Sequence, residues 1–238
     1  MLSLSEGEVT RLRREFKLVL DMDVVLELCT RLSAELGECL PRPTNIVSVY
    51  FDKPGYPLAA RALRTPEDCL KVRTKEYLPD LGADGVQRVV LEVKRERHGL
   101  TQKRRVWVPR AQLQSVIHGS AGLLPLIAGG SLRPVLAVTY RRHVYQSTQS
   151  WRVTVDRDIG YHPITSQLAL SATALEADRL KPAVFTDRRV VVEVKHLGDE
   201  LPAWLAALHP GGRRPAYSKF SEGMARVHAF ATNGVFGG

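Results

Sequence analysis

Charged residues recur at every second position in one strand-like run after another, and this alternation strongly limits how the chain can fold. Lys71, Arg73 and Lys75 alternate in CLKVRTKEY, and Glu193 and Lys195 alternate in VVVEVKH. Because successive side chains of a strand point to opposite faces, each run places its charges on one side and its Val and Leu residues on the other. Six such runs predict a sheet with one charged face.

A sheet of this kind that curls closed would turn its charged face into the wall of a basic tunnel containing a few carboxylates. The net charge of +9 over 238 residues indicates an anionic partner. There is no run of five consecutive Lys or Arg residues and no basic tail. The pattern therefore favours an enclosed site for a polyanion and a divalent metal over a surface for duplex nucleic acid. A basic RNA- or DNA-binding domain is the alternative.

The composition is that of a globular protein, with 44% hydrophobic and 25% charged residues. No apolar stretch approaches the roughly 20 residues that span a bilayer, and the first residues, MLSLSEGEVTRLRREF, lack the hydrophobic core of a signal peptide. The three cysteines have no CxxC spacing, which favours reduced thiols over a metal site. These features predict one cytoplasmic domain over residues 1–238, with its core at 11–230 and no membrane segment.

Hydrophobic periodicity and turn residues divide the chain into strands and helices. The predicted strands are Arg11–Leu20, Ile46–Asp52, Cys69–Tyr77, Val86–Arg97, Lys103–Val108, Val135–Tyr145, Trp151–Arg157 and Arg189–His196. The predicted helices run from Asp21 or Asp23 to Leu36, from Pro109 to His118, from Leu201 to Leu208 and from Ser218 to Phe230. The stretch from Ile159 to Asp187 is ambiguous, and LALSATALEADRL within it is compatible with a further helix.

Three Glu-x-Lys pairs place a carboxylate and an ammonium group on the same face of a strand. They are Glu15/Lys17, Glu92/Lys94 and Glu193/Lys195. Carboxylates arranged in this way can hold Mg²⁺ or Mn²⁺ beside cations that hold phosphates, because hard divalent ions take oxygen ligands. The alternative is a solvated face with ion pairs along each strand. Three pairs among six charged strands favour the metal and phosphate interpretation.

Phosphate binding is predicted at Lys71, Arg73, Arg105, Arg142 and Arg152, since Arg matches phosphate oxygens bidentately and Lys supplies a point charge. Arg104 competes equally with Arg105, because a bulge shifts the phase of a strand by one residue. The hydroxyl group of Tyr140 could donate to phosphate, or the ring could simply pack.

The sequence lacks the motifs of two common kinds of functional site, a zinc site and a P-loop. The seven His residues show no HxH or HExxH spacing, which argues against zinc, and no GxxxxGK[ST] motif is present, which excludes a P-loop.

The order of the motifs resembles a known family. The motifs are RREFK, VSVYFD, KVR, LEVK, KRR, TYRR, WRVTVD, VVEVK, LPAW and YSKFSEG, between about Arg13 and Val227. Together they resemble the catalytic domain of the vacuolar transporter chaperone family, which belongs to the triphosphate tunnel metalloenzymes. The resemblance implies an α+β fold built on a closed antiparallel eight-stranded β tunnel with flanking helices.

The resemblance also implies a function. Members of the family are polyphosphate polymerases, which transfer the γ-phosphate of ATP to a growing polyphosphate chain with Mn²⁺ or Mg²⁺ bound in the tunnel. By position, Glu193 matches the metal-binding glutamate of the family, and Ser218 and Lys219 match its C-terminal Ser-Lys pair. Its phosphate-binding basic residues correspond to Lys17, Lys71, Arg73, Lys94, Arg142 and Arg152.

Residues and resemblance together define the candidate site. The catalytic candidates are Lys71, Arg73, Arg142, Arg152 and Lys219. The phosphate-binding candidates are Arg13, Lys17, Lys94, Lys103, Arg105, Tyr140, Lys195 and Ser218. The metal candidates are Glu193, Glu15 and Glu92.

One departure from the related triphosphatases bears on the reaction. RREFK has Arg13 where the first Glu of their E-x-E-x-K signature would stand, and this favours a polymerase. A hydrolase of tripolyphosphate or nucleoside triphosphates, or a non-catalytic tunnel that binds polyphosphate, are the alternatives. The expected partners are ATP and polyphosphate or another triphosphate, without duplex nucleic acid, and a separate membrane partner is left open.

Overall fold

The computed structural model describes residues 14–37, 42–78, 86–97, 100–119, 131–146, 151–196, 203–207 and 217–228. Within these ranges the strands are β1 Arg14–Leu20, β2 Thr44–Asp52, β3 Cys69–Leu78, β4 Arg88–Arg97, β5 Leu100–Pro109, β6 Arg133–Gln146, β7 Trp151–His162, β8 Phe185–Asp187 and β9 Val190–His196. The helices are α1 Met22–Leu36, α2 Pro57–Arg64, α3 Leu113–Gly119, α4 Ser166–Ala169, α5 Ala203–Ala206 and α6 Lys219–Val227.

Eight strands form one antiparallel sheet in the order β1-β9-β7-β6-β2-β3-β4-β5, and the short strand β8 pairs with β7. Register shifts between Tyr50 and Phe51 and between Thr139 and Arg141 mark irregularities that increase curvature. In the described ranges no ladder joins the end strands β1 and β5, although both contribute side chains to one concave surface. The predicted eight-stranded antiparallel sheet is therefore confirmed as a curled half-barrel with flanking helices.

The uncharged positions of the alternating strands form a core on the convex face. Val47, Val49 and Phe51 of β2 pack there with the matching Val and Leu residues of β3, β4 and β5. Leu113 and Ile117 of α3 cover this core. Burial of these side chains fixes the phase of each strand, because a slip of one residue would expose all of them.

Helices α2 and α6 pack against the other end of the sheet. Phe220 of α6 stacks on Tyr50 of β2 with 5.0 Å between ring centroids. A Cβ atom added to Gly223 would lie 2.7 Å from Cδ1 of Tyr161 and even closer to Leu136, so α6 lies directly against the sheet. This contact brings the first residues of α6 to the concave face.

Most predicted elements are confirmed, and several strands extend beyond their predicted ends. The stretch LALSATALEADRL, which the sequence left ambiguous, does not form a continuous helix, since only the end of α4 and a 3-10 turn at Ala177–Arg179 occur there. The backbone of this stretch is bound by side chains instead. Arg110 donates to the carbonyl groups of Ala169 and Thr173, and the Glu76 carboxylate accepts from the Leu175 N–H.

The helix predicted from Pro109 begins only at Leu113, after a 3-10 turn at Arg110–Gln112, and Phe230 lies outside the described residues. Among the helices described, none combines the length and the apolar character needed to cross a lipid bilayer.

Candidate active site

The charged positions of the strands meet on the concave face, where they line one cavity. Its cations are Lys17, Lys71, Arg73, Lys75, Lys94, Lys103, Arg105, Arg142, Lys195 and Lys219. Its other lining residues are Glu15, Glu193, Tyr50, Tyr140, Tyr217, Ser218 and Val191. Ten cations thus face two carboxylates, and we refer to this surface as the cationic cavity.

The structure brings most of the predicted site residues into the cationic cavity. Arg13 lies outside the described residues, Glu92 lies beneath the lining, and Arg152 is exposed beside Lys195 on the neighbouring strand. Between the two competing arginines, Arg105 lines the cavity, whereas Arg104 has the opposite phase and is exposed.

The Glu92 carboxylate anchors two arginines of the lining. Its Oε1 accepts from Nε of Arg73 at 2.7 Å and its Oε2 accepts from Nε of Arg105 at 2.7 Å, while Nζ of Lys103 lies 3.8 Å away. Burial alone would raise the pKa of Glu92, but Arg73 and the neighbouring cations hold it well below its usual range. Because both oxygen atoms are bound, Glu92 positions the guanidinium groups and is not part of the lining.

Asp156 of β7 plays the same part on the other side of the cavity. Arg142 donates to its two oxygens at 2.6 and 2.7 Å, and Lys219 donates to Oδ2 at 2.6 Å. Burial would raise the pKa of Asp156, but Arg142 and Lys219 lower it strongly. The alternation in WRVTVD predicts that Asp156 shares a face with Arg152, but its partners come from distant segments.

The two carboxylates of the lining lie on adjacent strands at Glu15 of β1 and Glu193 of β9. Nζ of Lys195 lies 2.5 Å from Oε1 of Glu193 and 3.6 Å from Oε2 of Glu15. Despite burial, Lys195 and Lys17 lower the pKa of Glu193 well below its ordinary value. In the part of the chain that the structure describes, no cluster of three or more His, Cys, Asp or Glu residues is arranged to hold a metal ion.

This donor set fits a divalent ion that shares its coordination with a phosphate chain. Mg²⁺ and Mn²⁺ at phosphoryl-transfer sites are commonly held by one or two carboxylates plus substrate oxygens. Glu15 and Glu193 supply such a pair, and the ammonium group of Lys195 lies between them.

Several lining residues were not among the sequence candidates. The Tyr50 hydroxyl accepts from Nη1 of Arg73 at 3.1 Å, and the Tyr217 hydroxyl shares a hydrogen bond of 2.8 Å with the Tyr161 hydroxyl. Lys75 continues the alternation of Lys71 and Arg73, so the strand period could have found it. Tyr50 and Tyr217 carry no comparable signal, because tyrosines commonly serve packing alone.

A curled antiparallel sheet whose concave face gathers ten basic side chains defines a half-barrel with a strongly basic interior. A family model described as the VTC domain matches residues 12–228. The chain therefore belongs to the VTC domain family, as its motifs suggest.

Several solved structures resemble the chain remotely. A candidate adenylate cyclase from Bacillus halodurans is 9% identical, with 77% of this chain and 80% of that chain covered and a TM-score of 0.49. A candidate adenylyl cyclase from Hippeastrum, described as having a dominant triphosphatase activity, is 13% identical, with 82% of each chain covered and a TM-score of 0.46. The mimivirus capping enzyme triphosphatase is 10% identical, with 81% and 85% covered and a TM-score of 0.40. No curated protein matches the chain in sequence.

Proposed function

We propose that this protein is a metal-dependent polyphosphate polymerase that transfers the γ-phosphoryl group of ATP to a polyphosphate chain in the cationic cavity. The observation that carries the proposal is the convergence of ten cations from several strands and α6 on one concave surface with two carboxylates. Membership of the VTC domain family supports the same substrate class.

The arginines are held in place before a substrate arrives. Glu92 and Asp156 fix Arg73, Arg105 and Arg142 through hydrogen bonds, so little side-chain freedom is lost when phosphate binds. Arg105 uses only its Nε–H for Glu92, and its terminal nitrogens are directed to no carboxylate among the described residues. Charge-assisted bonds from such guanidinium groups to phosphate are among the strongest hydrogen bonds in proteins.

Glu193 and Glu15 would hold Mn²⁺ or Mg²⁺. The ion supplies neutralisation of the charge on the phosphoryl oxygens when it is bound. Lys195 bridges the two carboxylates and can turn to a phosphate oxygen of the chain, because its flexible stem carries a compact point charge.

Phosphoryl transfer depends chiefly on in-line positioning and electrostatic stabilisation. A terminal phosphate of polyphosphate is already anionic, so its attack needs little help from a base. Hydrolysis instead requires a group that orients water. Arg13 at the place of the first signature glutamate of the triphosphatases favours transfer to phosphate over transfer to water.

The test is incubation of the protein with ATP, Mn²⁺ and a short polyphosphate primer, with polymer followed on a stained gel and ADP and free phosphate assayed in parallel. We expect a ladder of lengthening polymer and matching ADP. Free phosphate without polymer would make the protein a triphosphatase, and binding without turnover would make it a binding module. Duplex binding that tripolyphosphate does not displace would favour nucleic acid.

Two neighbouring residues of β4 provide a matched control. Lys94 lines the cationic cavity, whereas Arg95 has the opposite phase. Lys94→Met is expected to lower polymer synthesis by roughly tenfold or more, the effect of losing one charge-assisted bond. Arg95→Met is expected to leave it close to the wild-type rate.

A further inference from the structure

Lys75 is the most enclosed basic side chain of the cationic cavity. Its side chain follows Lys71 and Arg73 on the concave face of β3 and is 3% exposed. Its neighbours across the ladders are Ser48 of β2 and Val90 of β4, neither of which can neutralise a charge. In the described part of the chain, Lys75 makes no hydrogen bond or ion pair.

The charged groups that face Lys75 come from four strands. Arg73 on its own strand, Arg105 on β5 and Arg142 on β6 are positive, and Glu92 on β4 is negative. Glu92 is already shared by Arg73, Arg105 and Lys103. The phenol groups of Tyr50 and Tyr140 also line the cavity. The amine therefore lies in a positive environment with no anion of its own.

Burial and the surrounding guanidinium groups lower the pKa of Lys75 well below that of an ordinary lysine. A charged ammonium at this position would lose its hydration and be repelled by three permanent cations. Arginine cannot relieve the repulsion, because it does not lose its proton in proteins. Lys75 is thus a group whose protonation can respond to what enters the cavity.

We propose that Lys75 is an inner contact for the polyphosphate chain and that it takes up a proton as the chain binds. This inference rests on the proposed function for the identity of its ligand. Each phosphate of the chain brings negative charge next to the amine and reverses the local balance of charge. By linkage, a ligand that promotes proton uptake must bind more tightly as the pH falls.

The proposal also predicts selectivity by ligand charge. A chain of several phosphates can neutralise the arginines and still favour an ammonium at Lys75. A single orthophosphate brings less negative charge, and the arginines neutralise most of it. Little is left to favour the protonated form of Lys75. Proton uptake should therefore accompany tripolyphosphate binding more than orthophosphate binding.

The test is isothermal titration of the full chain with tripolyphosphate near pH 8, without added metal, in two buffers of different ionisation enthalpy. The dependence of the measured enthalpy on the buffer gives the number of protons taken up. Burial lowers the pKa values of Lys17 and Lys103 to about 8, so these lysines and the ligand contribute to the wild-type number. The informative quantity is the difference between wild type and Lys75→Met.

We expect Lys75→Met to take up about one proton fewer per ligand than wild type, following the linkage relation. The affinity of Lys75→Met for tripolyphosphate should also fall less steeply with rising pH than the affinity of the wild type. Arg95→Gln, which removes an arginine in the opposite phase of β4 outside the lining, should keep the wild-type proton number. Lys75→Gln gives the same test should the Met variant fail to fold.

Equal proton numbers in wild type and both Lys75 variants would overturn the proposal while leaving the proposed function intact. Failure of the wild-type protein to bind tripolyphosphate would overturn both. A merely structural role for Lys75 would change affinity or stability without changing the number of protons.

Discussion

Lys219 at the start of α6 donates a 2.6 Å hydrogen bond to Oδ2 of Asp156 in β7, 63 residues earlier in the chain. The Asp156 side chain is 2% exposed and also receives two hydrogen bonds from Arg142. One buried carboxylate therefore holds α6 and an arginine of β6 at the same cavity. This makes α6 part of the site as well as part of the packing.

Asp156→Asn should destabilise the protein markedly, because it leaves Arg142 and Lys219 without their counter-charge. Breaking one partner of a buried ionic network costs about 3–5 kcal/mol, measured as the free energy of unfolding in urea at neutral pH. Asp158→Asn is the control, since Asp158 is 54% exposed and its carboxylate lies 3.6 Å from Arg141. That change should cost less than about 0.5 kcal/mol.

The same pair of variants gives a pH dependence. The pKa of Asp156 is lowered in the folded state, so its stabilisation is present above the unfolded value of about 3.9 and is lost as the pH falls further. The stability gap between wild type and Asp156→Asn should therefore narrow below about pH 4. A gap that stays constant, or that is no larger than for Asp158→Asn, would contradict this role.

Arg105→Gln should weaken tripolyphosphate binding by roughly ten- to a hundredfold, the effect of losing one hydrogen bond to a charged group. Arg104→Gln should have little effect, because Arg104 is the neighbouring arginine in the opposite phase of β5. Titration calorimetry at one fixed salt concentration measures both. Equal losses in the two variants would place the anion elsewhere than on the concave face.

Glu193→Gln and Glu92→Gln should separate metal binding from the positioning of arginines. We expect the Glu193 variant to lose Mn²⁺ affinity by roughly tenfold or more, since even outer partners of metal ligands cost 10- to 100-fold. The Glu92 variant should keep Mn²⁺ affinity but lose stability, because Arg73 and Arg105 lose their shared anchor. Electron paramagnetic resonance of free Mn²⁺ with tripolyphosphate present measures the first effect. Loss of Mn²⁺ affinity in Glu92→Gln but not in Glu193→Gln would instead make Glu92 the metal ligand.

Arg110→Met should destabilise the fold at neutral pH and less so in mild acid. Arg110 is 1% exposed, and its Nη1 lies 3.0 Å from Oε1 of Glu76. It also donates to the backbone carbonyl groups of Leu168, Ala169 and Thr173. Burial already raises the pKa of Glu76, and removing Arg110 should raise it further. A raised carboxyl pKa means that the folded state gains stability as protons bind. Urea unfolding at about pH 7 and pH 5 should therefore show a smaller deficit at the lower pH, and an unchanged deficit would be evidence against this pairing.

The strand period of two made much of this site predictable from the sequence. Lys71 and Arg73 could be assigned to one face because Val72 and Thr74 occupy the other, and burial of the latter enforces that phase. The period could not show that β1 and β5 face each other across the cavity. Curvature depends on how the strands pair and on where the register shifts, and these are properties of the whole sheet.

Contacts between distant segments were harder to predict. LALSATALEADRL has helical periodicity, but Arg110 and Glu76 bind its backbone groups and override that local preference. Glu92 has the right phase for a metal ligand, yet both its oxygen atoms are bound by arginines of the flanking strands. Neither outcome is encoded in the local spacing of residues.

The most direct measurement follows the γ-phosphate of ATP labelled with ³²P during incubation with the full chain, Mn²⁺ and a polyphosphate primer. The account predicts that the label enters polymer that a polyphosphate-specific exopolyphosphatase can degrade, with one ADP formed for each phosphate added. It also predicts that Lys94→Met slows this transfer while Arg95→Met does not. Release of the label as orthophosphate with no labelled polymer would contradict the polymerase assignment.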